Sequence, residues 1–343
     1  MKRFFCLAAS CLLAASVYAE VLVTTPVMGF VTLNVLPGTN FIGFALLPAM
    51  ELQGVANISP QRTSLFLQGS QIELAENQFN GGTHATHAVE IVTASGSVGF
   101  TTEITGTLAE DNEITLASPI PANVQDGATV KIWKLWTLAD VFGAPPVSGL
   151  TVGPEPALAD VIQIPNGSGF DQYFYANGAG SYTQGWRLIG DATTNQAKVP
   201  LKLNGGFAIR AGTSKSITIV GQVKPGQTLV NLQPGNNFVA NLCPVKFDAA
   251  DVNPDQVGRN LGNSGLSTDL TPGVHYRQAD LVLIWNGTGY DQYYYSSGGL
   301  AGQGWRLLGG DNSDRSAVPL PDGAYVIFRR GDATSIQLDL GEF

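Results

Sequence analysis

An aromatic segment that occurs twice in the chain carries the residues best suited to binding chemistry. Residues 160–175 read DVIQIPNGSGFDQYFY, and residues 280–295 read DLVLIWNGTGYDQYYY. A Gly-Trp-Arg-Leu sequence follows each copy, so an acid, several aromatic rings and a base recur together. The candidate ligand-binding residues are Asp171, Tyr173, Tyr175, Trp186 and Arg187 in the first copy, and Asp291, Tyr293, Tyr295, Trp305 and Arg306 in the second.

Two interpretations of this aromatic segment remain open. Alternate side chains of a strand share a face, which places Asp171, Tyr173 and Tyr175 together. If the rings are exposed, they can stack on the C–H surfaces of a sugar or on a peptide, while the acid and the base hold polar groups. In the second interpretation the acid and the base pair across a hairpin and the rings fill a core. Each cross-strand aromatic pair then stabilises the sheet by about 0.2–1 kcal/mol.

Possible metal ligands are fewer and weaker. His84, His87 and Glu90 have a spacing that would converge on a helix, but the surrounding residues predict a strand, which separates the two histidines onto opposite faces. We therefore predict no transition-metal site. The acidic loops at 248–255 and 311–314 leave Ca²⁺ open as a cofactor, because that cation binds clusters of oxygen ligands. Turn chemistry explains the same loops equally well.

Motifs of familiar enzyme classes are missing from the sequence. It contains no G-x-S-x-G nucleophile turn, no H-E-x-x-H zinc motif and no phosphate-binding loop. We therefore predict that the protein is not an enzyme. A polysaccharide-active enzyme with two carboxylates stays a third hypothesis, because such a pair comes together only in the fold.

The elements that position these residues also repeat. Residues 36–42 recur as 233–239, each with a Pro-Gly-x-Asn-Phe sequence. The repeat predicts a first unit at 20–222 and a second unit at 223–343. The first unit is longer, and we assign the difference to an inserted small antiparallel β-module at about 61–143, followed by a Pro- and Gly-rich linker at 143–156.

Composition and pattern predict an all-β protein. Short alternating runs are separated by many of the 41 glycines and 19 prolines, and no long amphipathic helix is evident. The predicted fold is two duplicated β-sandwich-like units, the first of which carries the inserted module. The net charge of −9, without any basic run, argues against nucleic acid as a partner.

The first 19 residues predict export. Lys2 and Arg3 precede an apolar run at 4–17, and small residues at Val17 and Ala19 suit cleavage after Ala19. We expect a signal peptide at 1–19 and a periplasmic, cell-surface or extracellular location. No later segment is apolar enough for a transmembrane helix. Cleavage leaves Cys243 as the single cysteine, for which we predict a small buried apolar role.

The chain resembles a family of secreted bacterial β-repeat proteins. The resemblance rests on the Pro-Gly-x-Asn-Phe turns, the IWKLWTLADVFG sequence at 132–143 and the YDQYYY and GWR sequences, and it spans nearly the whole mature chain. It implies export and a β-rich fold, and it brings no activity or catalytic residue. The leading hypothesis is an exported structural or adhesive protein of the bacterial envelope that contacts another protein or copies of itself. Carbohydrate binding by the aromatic hairpins is the alternative.

Overall fold

The chain folds as an all-β protein, as the sequence predicts. The structure is a computed structural model that describes residues 27–69, 72–80, 84–92, 98–146, 149–224, 227–240, 259–321 and 323–338. Antiparallel sheets and one small barrel make up nearly all of its regular structure. Within these residues, no helix has the length and apolar character needed to cross a membrane. The predicted signal peptide, Cys243 and the acidic loop at 248–255 lie outside the described residues.

The strands follow the chain in three groups. The first unit opens with β1 (Met28–Val35), β2 (Gly38–Gly43) and β3 (Leu46–Leu47). The inserted module consists of β4 (Met50–Ile58), β5 (Ser64–Gln68), β6 (His87–Ile91), β7 (Thr101–Leu108), β8 (Glu113–Leu116) and β9 (Ala128–Lys134). The first unit resumes with β10 (Trp136–Thr137), the short helix α1 (Leu138–Phe142), a 3-10 turn (Pro156–Leu158), β11 (Val161–Pro165), β12 (Phe170–Ala176), β13 (Gly185–Leu188), β14 (Pro200–Leu201), β15 (Gly206–Ala211) and β16 (Lys215–Val223).

The second unit repeats the first without an insert. Its elements are β17 (Thr228–Leu232), β18 (Gly235–Ala240), the short helix α2 (Leu266–Asp269), β19 (Leu281–Trp285), β20 (Tyr290–Ser297), a 3-10 turn (Gly299–Ala301), β21 (Gln303–Leu307), β22 (Ala324–Arg329) and β23 (Thr334–Leu338).

Each unit is a two-layer sandwich. In the first unit, a five-stranded sheet of order β13-β12-β11-β15-β2 faces a three-stranded sheet of order β1-β16-β3. In the second unit, β21-β20-β19-β22-β18 faces the pair β17-β23. Strand alternation sends every second side chain into the layer between the sheets, which gives each unit its own apolar core.

The strand register corrects one part of the repeat alignment. By sequence, Arg210 matches Arg329, but Val161 lies opposite Arg210 while its counterpart Leu281 lies opposite Phe328. The structural equivalent of Arg210 is therefore Phe328, one residue earlier than the sequence match. The shift matters because it decides which side chain reaches the buried acid at the start of each aromatic segment.

The inserted module is a closed barrel of strand order β4-β5-β8-β7-β6-β9. Its inward side chains, such as Leu65, Val89 and Val130, form a third apolar core that has no exposed members. The predicted insert, 61–143, overlaps the barrel but has different limits, since β4 begins at Met50 and β9 ends at Lys134.

The two units pack around an approximate two-fold axis. Equivalent residues meet across it: the rings of Phe41 and Phe238 stack with centroids 5.9 Å apart and an interplanar angle of 17°. A Cβ added to Gly43 would lie 2.5 Å from the Cβ of its equivalent, Ala240. Contacts between a surface and its own copy are the signature of an isologous interface. Glycine at position 43 allows this close approach of the two backbones.

Candidate functional site

In the first unit, the rings of the aromatic segment belong to the core. Tyr175 lies opposite Trp186 across the β12–β13 hairpin, and the two rings meet edge to face with centroids 5.7 Å apart. Trp186 is 1% exposed, and Tyr173 and Tyr175 are also buried. The indole Nε1 of Trp186 donates a hydrogen bond of 2.8 Å to the carbonyl oxygen of Gly143, which ends α1.

The second unit repeats this arrangement. Trp305 is 1% exposed, Tyr293 is buried, and Tyr295 packs partly buried against the same core. The rings of Tyr295 and Trp305 meet edge to face at 5.6 Å. The interpretation in which these rings form a stacking platform requires exposed rings, but in both hairpins the inner face of each sheet holds them against the opposite layer, and only Tyr295 is partly exposed.

The predicted acid–base pair across the hairpin does not form either. Arg187 lies opposite Phe174, so its side chain is on the other face from Asp171. The guanidinium of Arg187 is buried and donates to the carbonyl oxygens of Thr183, Gln184 and other loop residues. It acts as an internal cap for the loop that follows β12.

Arg306 has the corresponding role in the second unit. It is buried and donates to the carbonyl oxygens of Ala301, Gln303 and Trp305. It also forms an ion pair with Asp314 at 3.3 Å, a contact for which the first unit offers no counterpart among the residues described.

The acids of the aromatic segment hold turns. The side-chain amide of Asn166 donates to Asp171 at 2.8 Å, and that of Asn286 donates to Asp291 at 2.9 Å. Burial, together with the nearby charge of Asp171, raises the pKa of Tyr173 to about 12. This phenol therefore stays protonated at neutral pH. The ten candidate residues lie together in two hairpins, and their carboxylates and guanidinium groups form hydrogen bonds with the adjacent turns and loops.

Sequence reasoning missed the acids that matter most for structure. Asp160 and its equivalent Asp280 are almost fully buried at the first position of each aromatic segment. Lys215 pairs with Asp160 at 2.7 Å, whereas Arg329 pairs with Asp280. Burial raises the pKa of Asp160, but the bonds from Lys215 and from two backbone amides outweigh burial and hold the pKa below its ordinary value. The aspartate at the first position of both copies was the feature of the sequence that could have indicated this structural role.

A third buried ion pair joins the barrel to the segment that leads into the second unit. Lys224, which is 1% exposed, directly follows β16 on the way to β17, and its Nζ is 2.6 Å from Glu90 on β6. Trp133 donates its indole N–H to the other oxygen of Glu90 at 2.7 Å. Burial lowers the pKa of Lys224, while the attraction of Glu90 opposes that shift. We call this cluster, Glu90, Trp133 and Lys224, the barrel latch.

The predicted metal candidates bind protein groups. The Nε2 of His87 lies 3.1 Å from Glu51 and its Nδ1 lies 2.8 Å from the hydroxyl of Thr86, while Glu90 belongs to the barrel latch. In the acidic loop at 311–314, Asp311 pairs with Arg315 at 2.8 Å. Within the described part of the chain, no three His, Cys, Asp or Glu residues group as metal ligands.

Two features of the described part of the chain could receive a partner or a ligand. The first is the outer edge of β1, which ends its sheet and pairs only with β16 among the described strands. The second is a cleft of about 470 Å³ where the barrel and both units meet.

No protein-family model, no curated protein and no solved structure matches this chain. The resemblance to secreted bacterial β-repeat proteins therefore stays a prediction, and function has to be argued from the two open features.

Proposed function

We propose that the protein is a non-enzymatic, exported structural or adhesive protein that joins a second copy of itself through the edge of β1. The observation that carries the proposal is that β1 is an eight-residue edge strand with neither a charged residue nor a proline. Edge strands of soluble proteins usually carry lysine, proline or a bulge, because an unprotected edge invites another strand.

Half of the backbone N–H and C=O groups of β1 point toward its open edge. The amide of Val223 donates to the carbonyl oxygen of Val27 at 2.9 Å, so this pair marks the hydrogen-bonded positions of the ladder. Such positions alternate in an antiparallel pair. The backbone groups of Met28, Phe30 and Thr32 therefore point away from β16, toward the open edge.

The side chains beside this edge are apolar and exposed. Phe30 is 76% exposed, and Val220, its partner on β16, is also exposed. Met28 lies on the same face as Phe30 and is also exposed. Pairing of two such edges buries apolar surface from both copies. It also places no like charges opposite each other, although each chain carries a net charge of −9.

The second unit supports the proposal by internal comparison. Its equivalent edge is β17, and there the amide of Leu229 donates to the carbonyl oxygen of Gly99 in the barrel at 3.0 Å. Phe100 forms a parallel bridge with Leu229. Leu229 corresponds to Thr32, whose amide faces the open edge of β1. The same edge is thus covered by a neighbouring backbone in one unit and left uncovered in the other.

Sedimentation velocity of the purified protein tests the proposal with a matched pair of variants. Thr32→Pro removes an outward amide without removing a bond to β16, and Thr32→Val keeps that amide. We expect a concentration-dependent dimer for the wild type and for Thr32→Val, and a monomer for Thr32→Pro. A wild type that stays monomeric at every soluble concentration would contradict the proposal.

Two further parts of the proposal, export and the absence of catalysis, have separate support. Export rests on the signal-like residues 1–19 of the sequence. The absence of catalysis rests on the use of the buried carboxylates, since Glu90, Asp160 and Asp280 are each neutralised by a cation of the same chain. Processing at Ala19 can be checked by mass spectrometry of the protein isolated from culture.

A further inference from the structure

The cleft at the junction of the three modules has one wall from each of them. The barrel contributes residues 101–103 and 117–118, the first unit contributes 164, 165, 167 and 201–207, and the second unit contributes 229–231, 233–234 and 236–239. Its volume of about 470 Å³ lies within the roughly 300–1,000 Å³ typical of small-molecule sites, which often form between domains. The cleft shares no residue with β1.

The walls are mostly neutral and rich in hydrogen-bonding groups. Hydroxyls and amides line the cleft, among them those of Thr101, Ser118, Asn231, Gln233 and Asn236. These groups both donate and accept hydrogen bonds. Apolar side chains of Ile164, Pro165 and Phe238 form part of the remaining surface.

One residue ties the three modules together and keeps an unused acceptor. The side-chain amide of Asn204 donates to the hydroxyl of Thr101 in the barrel at 3.0 Å, and its backbone oxygen accepts from Ala240 of the second unit at 3.1 Å. Asn204 is 7% exposed, and its Oδ1 has no hydrogen-bond partner among the described residues. A buried acceptor without a donor costs about 1–3 kcal/mol, and Asn204 is one of the residues that line the cleft.

We propose that this cleft binds a short neutral oligosaccharide. Sugar hydroxyls are at once donors and acceptors, which matches the lining, and the C–H face of a sugar ring suits the apolar part. An acidic ligand is disfavoured by the net charge of −9, while the single acid and the single base of the wall, Glu103 and Lys202, offset each other.

The two-fold relation of the units supplies a matched control. Asn236 lies in the cleft, and its equivalent in the first unit, Thr39, occupies the same position of β2 outside the cleft. Asn236 is exposed, so its replacement by alanine should leave the fold intact. Thr39→Ala changes the same position of the repeat without touching the cleft.

Saturation-transfer NMR and titration calorimetry with maltopentaose, cellopentaose, xylopentaose and chitopentaose test the proposal on the full protein. We expect saturable binding of at least one of them, a loss of affinity of about tenfold for Asn236→Ala, and wild-type affinity for Thr39→Ala. Thermal unfolding of both variants should match the wild type. Absence of saturable binding to all four sugars would overturn the proposal, and so would binding that Asn236→Ala leaves unchanged. Neither result bears on dimerisation through β1.

Discussion

Replacement of Lys224 by methionine should loosen the barrel from the second unit. The Nζ of Lys224 makes three short contacts, to Glu90 at 2.6 Å and to the carbonyl oxygen of Gln227 and the hydroxyl of Thr228 at 2.7 Å each. The side chains of Lys224 and Glu90 are 1% and 6% exposed, so solvent screens their attraction little. Methionine fills nearly the same volume but leaves the carboxylate of Glu90 buried without its cation.

The expected cost is about 3–5 kcal/mol, the range found when one partner of a buried ion pair is removed. Trp133 still donates to Glu90 in this variant, which places the expected value nearer the lower end. The double variant Lys224→Met/Glu90→Gln removes both charges. It should therefore recover part of the loss, with a coupling on the order of 1–3 kcal/mol.

Hydrogen exchange followed by mass spectrometry is the suitable assay, because a chain of three modules need not unfold in a single step. Amides of β6 and β17 should exchange roughly 10²–10³ times faster in Lys224→Met, from about 1.4 kcal/mol for each factor of ten. Lys134→Met is the matched control, since Lys134 pairs with Asp140 at 3.5 Å with both side chains partly exposed. Such a pair contributes at most about 1 kcal/mol. Equal exchange in both variants would refute the reasoning.

Three further predictions concern the two units. Asp160→Asn should destabilise the protein at neutral pH. Because the pKa of Asp160 is lowered on folding, the stability that its carboxylate contributes is present above the pKa of the unfolded chain and is lost as the pH falls through the pKa of the folded protein. The urea midpoints of the variant and the wild type should therefore converge in acid. Trp186→Phe should lower the free energy of unfolding in urea by about 1–3 kcal/mol more than Trp305→Phe, because only the indole N–H of Trp186 has a hydrogen-bond partner in the described structure. Equal losses in the two variants would contradict this. Gly43→Ala should lower the free energy of unfolding by about 1–3 kcal/mol, because the added methyl group forces the units apart. A Cβ added to Gly212 meets nothing within 4 Å, so Gly212→Ala should change that free energy by no more than about 0.5 kcal/mol. Equal thermal midpoints of the two variants would show that the close approach is not needed.

The fold class could be predicted from the sequence because strand signals are local. Alternation and turn residues predicted an all-β chain, and the shared Asp-to-Tyr segments identified equivalent strands. The one-residue shift at Arg210 could not be predicted, because Arg329 matches Arg210 in residue type, whereas the ladder makes Phe328 its equivalent.

The candidate site was harder to predict because alternation gives two faces without saying which one is buried. Tyr173 and Trp186 were correctly placed on paired strands of one hairpin, but the opposing sheet that covers them is formed by β1 and β16, distant in sequence. The barrel latch and the cleft depend on contacts between modules, such as Lys224 with Glu90, for which a single sequence carries no local signal.

The presence of one barrel for two fused units limits the number of open strand edges through which a molecule can pair. A symmetric pair of separate units would carry every feature twice, including two uncovered edges, and could add neighbours at both ends. In this chain the barrel covers the edge of β17, while the edge of β1 stays open. Of these two equivalent edges, each molecule therefore offers only one for pairing in its described part. The proposed pairing of two β1 edges would leave neither edge free, so the assembly would end at two molecules. A unit with two open edges would instead polymerise into a fibre. By the same asymmetry, each molecule has one junction cleft of this composition rather than two, since only one barrel is present to complete it.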